Sequence, residues 1–147
     1  MKIDFTQDTK SQSYLDAIRI RRLVFVEEQL VPLDIEIDEH EAQCTHFVLY
    51  ENNGLAVATA RFLPDREHEG VAILQRMAVL KEYRGKGRGG EVIRAVESFA
   101  LSHHIYEIVL HAQLTAKGFY EKKGYAAFGD EFEEAGITHV SMKKRIL

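Results

Sequence analysis

One cysteine, two prolines and no long apolar run are found in these 147 residues, and each scarcity removes a class of protein. Cys44, being alone, cannot form an internal disulfide and offers no cysteine pair at metal-ligand spacing. No stretch approaches the ~18 apolar residues of a membrane-spanning helix. The start, Met1-Lys2-Ile3-Asp4-Phe5, lacks the apolar segment of a signal peptide, so a cytoplasmic protein without a membrane partner is expected. Pro32 and Pro64 read as loop punctuation, and there is no internal repeat or low-complexity segment. A net charge of −4 gives no general case for nucleic acid as a partner. What remains is a composition 46% hydrophobic and 29% charged, as expected of a single globular domain over residues 1–147.

The most informative stretch is Leu74 to Gly90, an apolar run that leads into Arg84-Gly85-Lys86-Gly87-Arg88-Gly89-Gly90. Glycines at this density let the backbone approach a ligand closely and take up positive φ. Val92, Ile93, Val96, Phe99 and Ala100 then recur at helical spacing, which puts the glycines at a helix N-terminus. Free N–H groups and the positive end of the dipole favour an anion there. The dipole contributes only about 0.3–1 kcal/mol. A micromolar ligand needs about 8 kcal/mol, so most of such a ligand must be held elsewhere.

Three phosphate-loop readings compete. A Walker loop requires Lys-Ser or Lys-Thr after its glycines, and neither pair follows here. Gly85, Gly87 and Gly90 satisfy the dinucleotide pattern Gly-x-Gly-x-x-Gly, with Glu107 near the place of its ribose-binding acid. Too little chain follows residue 90, however, to build the strand-helix-strand series that this pattern opens. The third reading is a loop for the pyrophosphate of an acyl-coenzyme A.

In chain order, Met1–Phe5 reads as a short strand, and Ser11 or Ser13 can cap a helix running to about Glu28. Tyr14, Ile18 and Phe25 form its apolar stripe. Arg21 and Glu28 lie beside that stripe and should either pair with each other or face a polar cavity. Residues 29–43 are acidic, either solvated or a wall for a cationic or polyhydroxylated substrate. Thr45–Tyr50 and Leu55–Leu63 read as strands joined by Asn52-Asn53-Gly54. Ala56, Ala58, Ala60 and Phe62 face one side, where small residues would let a helix approach. Arg61 faces the other, among apolar neighbours, and needs an anionic partner or a wet site. Val71–Leu80, a helix over 89–102 and Tyr106–His111 predict a parallel strand pair with a helical crossover. Gly124 reads as a helix C-cap, 131–136 and 137–142 as a last hairpin, and Lys143-Lys144-Arg145 as a solvated tail. His103-His104 end a helix, and with no supporting cysteine or carboxylate spacing no metal is expected.

Arg84-Gly85-Lys86-Gly87-Arg88-Gly89 matches the Arg/Gln-x-x-Gly-x-Gly/Ala signature of the GCN5-related N-acetyltransferase (GNAT) family, which this sequence resembles. Phe119-Tyr120-Glu121-x-x-Gly124-Tyr125 resembles the family's Phe-Tyr-x-x-x-Gly-Phe helix end. Arg21-x-x-Val24-Phe25-Val26-x-Glu28-Gln29 and Phe132-x-Glu134-Ala135-Gly136-Ile137-x-His139 look like the small bacterial ElaA-like members, so the resemblance covers nearly the whole chain.

The resemblance implies an α/β (mixed α+β) GNAT fold, a splayed mixed β-sheet of about six to seven strands flanked by helices. It implies acetyl-CoA as cofactor and direct attack of an amine on the thioester. Backbone groups of Met77, Ala78 and Val79 would bind the pantetheine arm, one of their N–H groups polarising the acetyl carbonyl. Arg84, Gly85, Lys86, Gly87, Arg88, Gly89 and Gly90 would hold the pyrophosphate, with Phe119 and Tyr120 beside the cofactor. Gln113 stands where the family often has an asparagine. Tyr120 would serve the leaving thiolate, as proton donor or as hydrogen-bond donor. Glu28, His111 and His139 are the candidate bases, and Arg21, Glu28, Arg61 and Arg76 the candidate substrate contacts. A small-molecule amine is the expected partner, and since dimers are common in the family a homodimer is one expected assembly. A coenzyme A sensor without turnover and a nicotinamide-binding fragment are the other readings.

Overall fold

The computed structural model describes residues 1–147, apart from the side chain of Ile35. The first strand, β1 (Lys2–Thr6), leads to helix α1 (Gln12–Arg21), capped by the Ser11 hydroxyl, which accepts from the Tyr14 N–H at 3.2 Å. The expected long helix to Glu28 changes character at Arg22. Arg22–Glu28 is a π-helix, closed by the Gln29 N–H donating to Val24 O at 3.1 Å. The buried stripe runs through Tyr14, Ala17, Ile20, Arg21, Val24 and Phe25, with Ile18 at the margin. Arg21, one turn after Ala17 and two after Tyr14, lies on that stripe and points into the core.

A short helix α2 (Leu33–Glu36) precedes the hairpin of β2 (Thr45–Tyr50) and β3 (Ala56–Pro64), whose turn is closed by the Gly54 N–H on Glu51 O. Gly54 has φ +87°, which is why glycine ends Asn52-Asn53-Gly54. Then follow β4 (Val71–Val79), α3 (Arg88–Ser102), β5 (Glu107–Gln113), α4 (Lys117–Lys122), β6 (Ala126–Glu134) and β7 (Ile137–Arg145). The described strands form one mixed sheet of seven in the order β1-β2-β3-β4-β5-β7-β6, in which only β4 and β5 are parallel.

The two faces of β3 carry different layers. Phe62, whose neighbours Ala60 and Ala58 share its face, meets Phe99 of α3 at 5.5 Å, and Phe5 and Phe47 complete the aromatic cluster around that ring. The small residues admit α3, as expected. The opposite face, with Arg61 and His46, lies under α1. Lys143-Lys144-Arg145 is no tail. These residues pair with Glu107, Ile108 and Val109 as the end of β7, and Lys144 Nζ binds Glu97 of α3 at 3.0 Å. The final hairpin is correspondingly longer than the apolar alternation suggested. No helix among the described residues is long and apolar enough to cross a membrane.

Candidate active site

The parallel pairing of β4 with β5 runs from Val71/Glu107 to Leu74/Leu110 and stops there, although both strands continue. On their outer sides β4 stays paired with β3 as far as Val79, and β5 with β7 as far as Gln113. Two intact half-sheets thus diverge at the middle. A bulge marks the point of divergence. Thr59 pairs with Ala78 and Arg61 with Gln75, so Arg76 and Met77 stand against Ala60 alone, and Arg76 has φ +55°. Such a bulge bends its strand and sharpens the local twist. A left-handed conformation at a residue with a Cβ is strained and persists only where its surroundings hold it. The divergence opens a cleft of about 770 Å³, with Met77, Ala78 and Val79 on one wall and Leu110, His111 and Gln113 on the other.

The glycine loop closes one end of this cleft. Gly85 and Gly87 have φ +76° and +80°, and a Cβ on either would meet open space, so the requirement is conformational rather than steric. Gly87 caps α3, whose first intrahelical bond runs from the Glu91 N–H to Gly87 O. The N–H groups before Glu91 lie outside the helix ladder and suit an anion. The basic side chains are less available than the sequence implies. Arg84 donates to Glu28 Oε1 and Oε2, both at 2.7 Å, Arg88 is paired with Glu51, and Lys86 lies 5.6 Å from the Tyr83 ring centroid. A Cβ on Gly90 would stand 2.8 Å from Lys123 Nζ, and one on Gly89 3.0 Å from Phe119 Cζ. Lys123 lines the cleft and escaped sequence reasoning, because its run of lysines looks like an ordinary solvated helix end.

Tyr120 lies where the wedge meets the loop, lining the cleft with only 7% of its surface exposed. Among the described residues its hydroxyl has no hydrogen-bond partner, and burial pushes its pKa well up. Gln113 extends into the cleft at the end of β5 and donates to Gln29 Oε1 at 2.7 Å.

The arginines expected to contact substrate are mostly engaged. Arg21 is fully buried, donating from Nε to Glu36 Oε1 and from Nη1 to Glu41 Oε1, each at 2.8 Å. It neither pairs with Glu28 nor lines the cleft, so the substrate role is corrected to a structural one. Arg61 binds Asp38 Oδ1 at 2.8 Å, Glu41 Oε2 at 2.5 Å and Gln75 Oε1 at 2.7 Å, which supplies the anionic partner its position demanded. Arg76 lies 3.2 Å from Glu36 Oε2 and 3.3 Å from Asp38 Oδ2, and also lines the cleft. Hydrogen bonds from Arg61 hold the Asp38 carboxyl down at about 2 against the effect of its partial burial. Three carboxylates of the acidic segment are thereby matched by three guanidiniums. The segment is neither simply solvated nor a free acidic wall, a pairing invisible in sequence because the partners are 15 to 40 residues apart.

His111 and His139 both line the cleft, with a carboxylate between them, that of Glu134, to which the sequence reading assigned no role. His111 Nδ1 lies 3.1 Å from Glu134 Oε1, and His139 Nε2 3.7 Å from Glu134 Oε2. His139 Nδ1 donates to Ile137 O at 2.7 Å. The ring of Phe132 sits edge-on to His111 at 5.0 Å and stacked with His139 at 5.9 Å. Glu134 ends β6 at a two-residue turn in which Ala135 and Gly136 have φ +53° and +77°, the conformation that suits a tight hairpin. Glu28 stands apart from this cluster. Its hydrogen bonds from Arg84 hold its pKa below the usual carboxylate range, which makes it a poor base.

A family model described as an acetyltransferase (GNAT) domain matches residues 9–146. An uncharacterized N-acetyltransferase of Bacillus subtilis, YjcF, is 39% identical over 130 residues, spanning 88% of this chain and 90% of the relative. A crystal structure from Lactobacillus plantarum, itself proposed as an N-acetyltransferase, is 33% identical with a TM-score of 0.90 and covers 99% of this chain and 98% of that one. Escherichia coli ElaA shares the fold at a TM-score of 0.85 and 24% identity, covering 99% and 100% of the two chains. The wedge between β4 and β5, the glycine loop capping α3 and these matches lead to one assignment: the chain belongs to the GNAT family of acetyltransferases.

Proposed function

We propose that this chain transfers the acetyl group of acetyl-coenzyme A to the amine of a small molecule. The observation that carries the reading is the wedge itself, which runs from two unpaired strand edges into the N-terminus of α3 and has at the junction the buried ring of Tyr120, whose hydroxyl has no partner among the described residues. Unpaired backbone groups on the outer parts of β4 and β5 suit an extended, amide-bearing arm, and the loop over residues 84–90 suits a pyrophosphate. The fit of this cradle supports the cofactor. When bound, acetyl-coenzyme A supplies a thioester carbonyl open to attack and a thiol leaving group.

Within this reading the N–H groups of Met77 to Val79 orient and polarise that carbonyl, and Tyr120 donates a hydrogen bond toward the sulfur. Donation, rather than full proton transfer, follows from the energetics. A phenol at about 10 already exceeds a cysteine-like thiol at about 8.5, and burial raises Tyr120 further. An alkylamine near 10.4 costs roughly 4–5 kcal/mol to deprotonate at pH 7, so a base is required. His111 and His139 serve this better than Glu28, whose carboxylate is committed to Arg84.

The test is thermal unfolding with acetyl-coenzyme A, coenzyme A, NADH and ATP, followed by thiol release over an amine panel. A ligand at 100 times its Kd adds about 2.7 kcal/mol. Stabilisation by the two coenzyme A species, with amine-dependent thiol release, is expected. Stabilisation by NADH instead, or tight binding without turnover on any amine, would overturn the reading.

A further inference from the structure

Resting on the acetyl-transfer reading, we propose that Glu134 is a positioning residue that holds His111 as the proton acceptor for the attacking amine. An ionised carboxylate can only accept hydrogen bonds, so the 3.1 Å contact of Glu134 Oε1 with His111 Nδ1 places the proton of neutral His111 on Nδ1. Nε2 is left as the lone-pair nitrogen of a half-exposed ring that lines the cleft. The same carboxylate–imidazole logic orients and charges the base of hydrolytic triads. It also explains why His139 differs. Its Nδ1–H is spent on Ile137 O, so its lone-pair nitrogen is the one 3.7 Å from Glu134 Oε2, and its side chain is only 8% exposed. That nitrogen faces the carboxylate, which leaves it less open to a substrate than Nε2 of the half-exposed His111.

The charged groups around His111 are few. Glu134 faces it from β6, His139 lies on β7 and shares that carboxylate, and Arg76 of β4 acts on Glu134 from the opposite wall. The hydrogen bond from Glu134 raises the pKa of His111 above its ordinary value, and the same bond lowers that of Glu134. An ammonium substrate must lose two protons from nitrogen as the C–N bond forms and the C–S bond breaks. One passes to His111 Nε2 and on to solvent, and the other ends on the departing sulfur. One proton is therefore released per turnover.

The sign of the pH effect follows. Imidazolium cannot accept, so kcat/KM should rise with pH through the raised pKa of His111 and level off above it. Glu134→Gln keeps the shape of the side chain and removes the charge, so it should move that inflection down. The experiment combines the pH profile of kcat/KM with an NMR titration of the His111 ring protons, assigned by their loss in His111→Gln, in the full chain. In Glu134→Gln, both the NMR pKa and the kinetic inflection are expected to fall together, with kcat/KM on the plateau down about tenfold or more. The thermal shift given by coenzyme A should stay unchanged, and Glu134→Asp should restore part of the shift. An inflection unmoved in Glu134→Gln, or one that follows His139→Gln instead, would overturn the proposal. Because the NMR titration needs neither cofactor nor turnover, failure of the acetyl-transfer reading would show separately as absence of thiol release, with the His111–Glu134 coupling intact.

Discussion

Glu28 and Arg84 grip one another, both carboxylate oxygens meeting the guanidinium at 2.7 Å. The pair joins the end of the π-helix to the glycine loop, and each side chain remains more than a third exposed. Exposed pairs of this kind add about 0–1 kcal/mol to stability. Glu28→Gln should therefore unfold within a few degrees of the parent. It should also retain kcat within a few fold and bind coenzyme A several-fold more tightly at low salt, as Arg84 is released and a nearby negative charge removed. Calorimetric titration at two ionic strengths checks this. A fall in kcat of two orders of magnitude would instead make Glu28 the base.

Tyr120→Phe removes one hydroxyl from a buried ring that packs beside Phe119 and Tyr125. The proposed role is felt as the sulfur gains charge, not in the ground state. Turnover should fall about ten- to a thousandfold while the Kd for coenzyme A changes less than about threefold. Equal loss in both quantities would make the ring a packing element. Stopped-flow measurement of a single turnover separates the two cases.

Two glycines of the loop should fail differently. Gly87 has φ +80° with open space beyond it, so Gly87→Val meets backbone strain and should abolish binding of coenzyme A. Gly90→Ala meets only the end of the Lys123 side chain, which can move aside. It should fold normally and weaken binding by about tenfold or less, and Lys123→Met should reproduce that loss. Normal binding by Gly87→Val would remove the loop from the cofactor site.

Arg21→Met and Glu41→Gln test the buried charge network. Either leaves charges without counter-ions in a region where the parent has three against three. The cost of breaking such a set is about 3–5 kcal/mol, readable as a lowered denaturant midpoint with unchanged slope. Restoring charge balance in the double variant should recover part of it. A loss below about 1 kcal/mol in both single variants would show that the network is solvated.

Local chemistry made much of this legible from sequence. The hairpin turn at Gly54, the helix start at Gly87 and the small residues of β3 that admit α3 were each written in residue types whose geometry admits few alternatives. Arg61 also announced its need for a partner. The partner itself was not legible, because Glu41 and Asp38 come from a segment of poor periodicity that folds back over the sheet. Glu134 was hidden for a related reason. It sits among Glu131, Glu133 and other acidic residues of an exposed strand, and only the tight turn at Ala135-Gly136 brings it against His111 and His139. The π-helix left no periodic trace that distinguishes it from an α-helix, and the partners of Arg21 were not legible because Glu36 and Glu41 come from outside its own helix.

The bulge in β4 has a consequence for chain length. Gln75 and Ala78 point to the same side of the sheet although they are three residues apart, since each pairs with a residue of β3 on that side. Without one of the residues between them the strand would alternate regularly, and the side chains before and after would keep their present faces. Arg76 is in that sense supernumerary. Its deletion would spare the surrounding residues their orientation and remove the bend, letting the outer part of β4 run straight on beside β3, while also taking one guanidinium from Glu36 and Asp38. An aperture between strands is here maintained by counting, one residue more on β4 than on its neighbour, and a deletion scan across residues 75–77 would report on it more directly than any exchange of side chains.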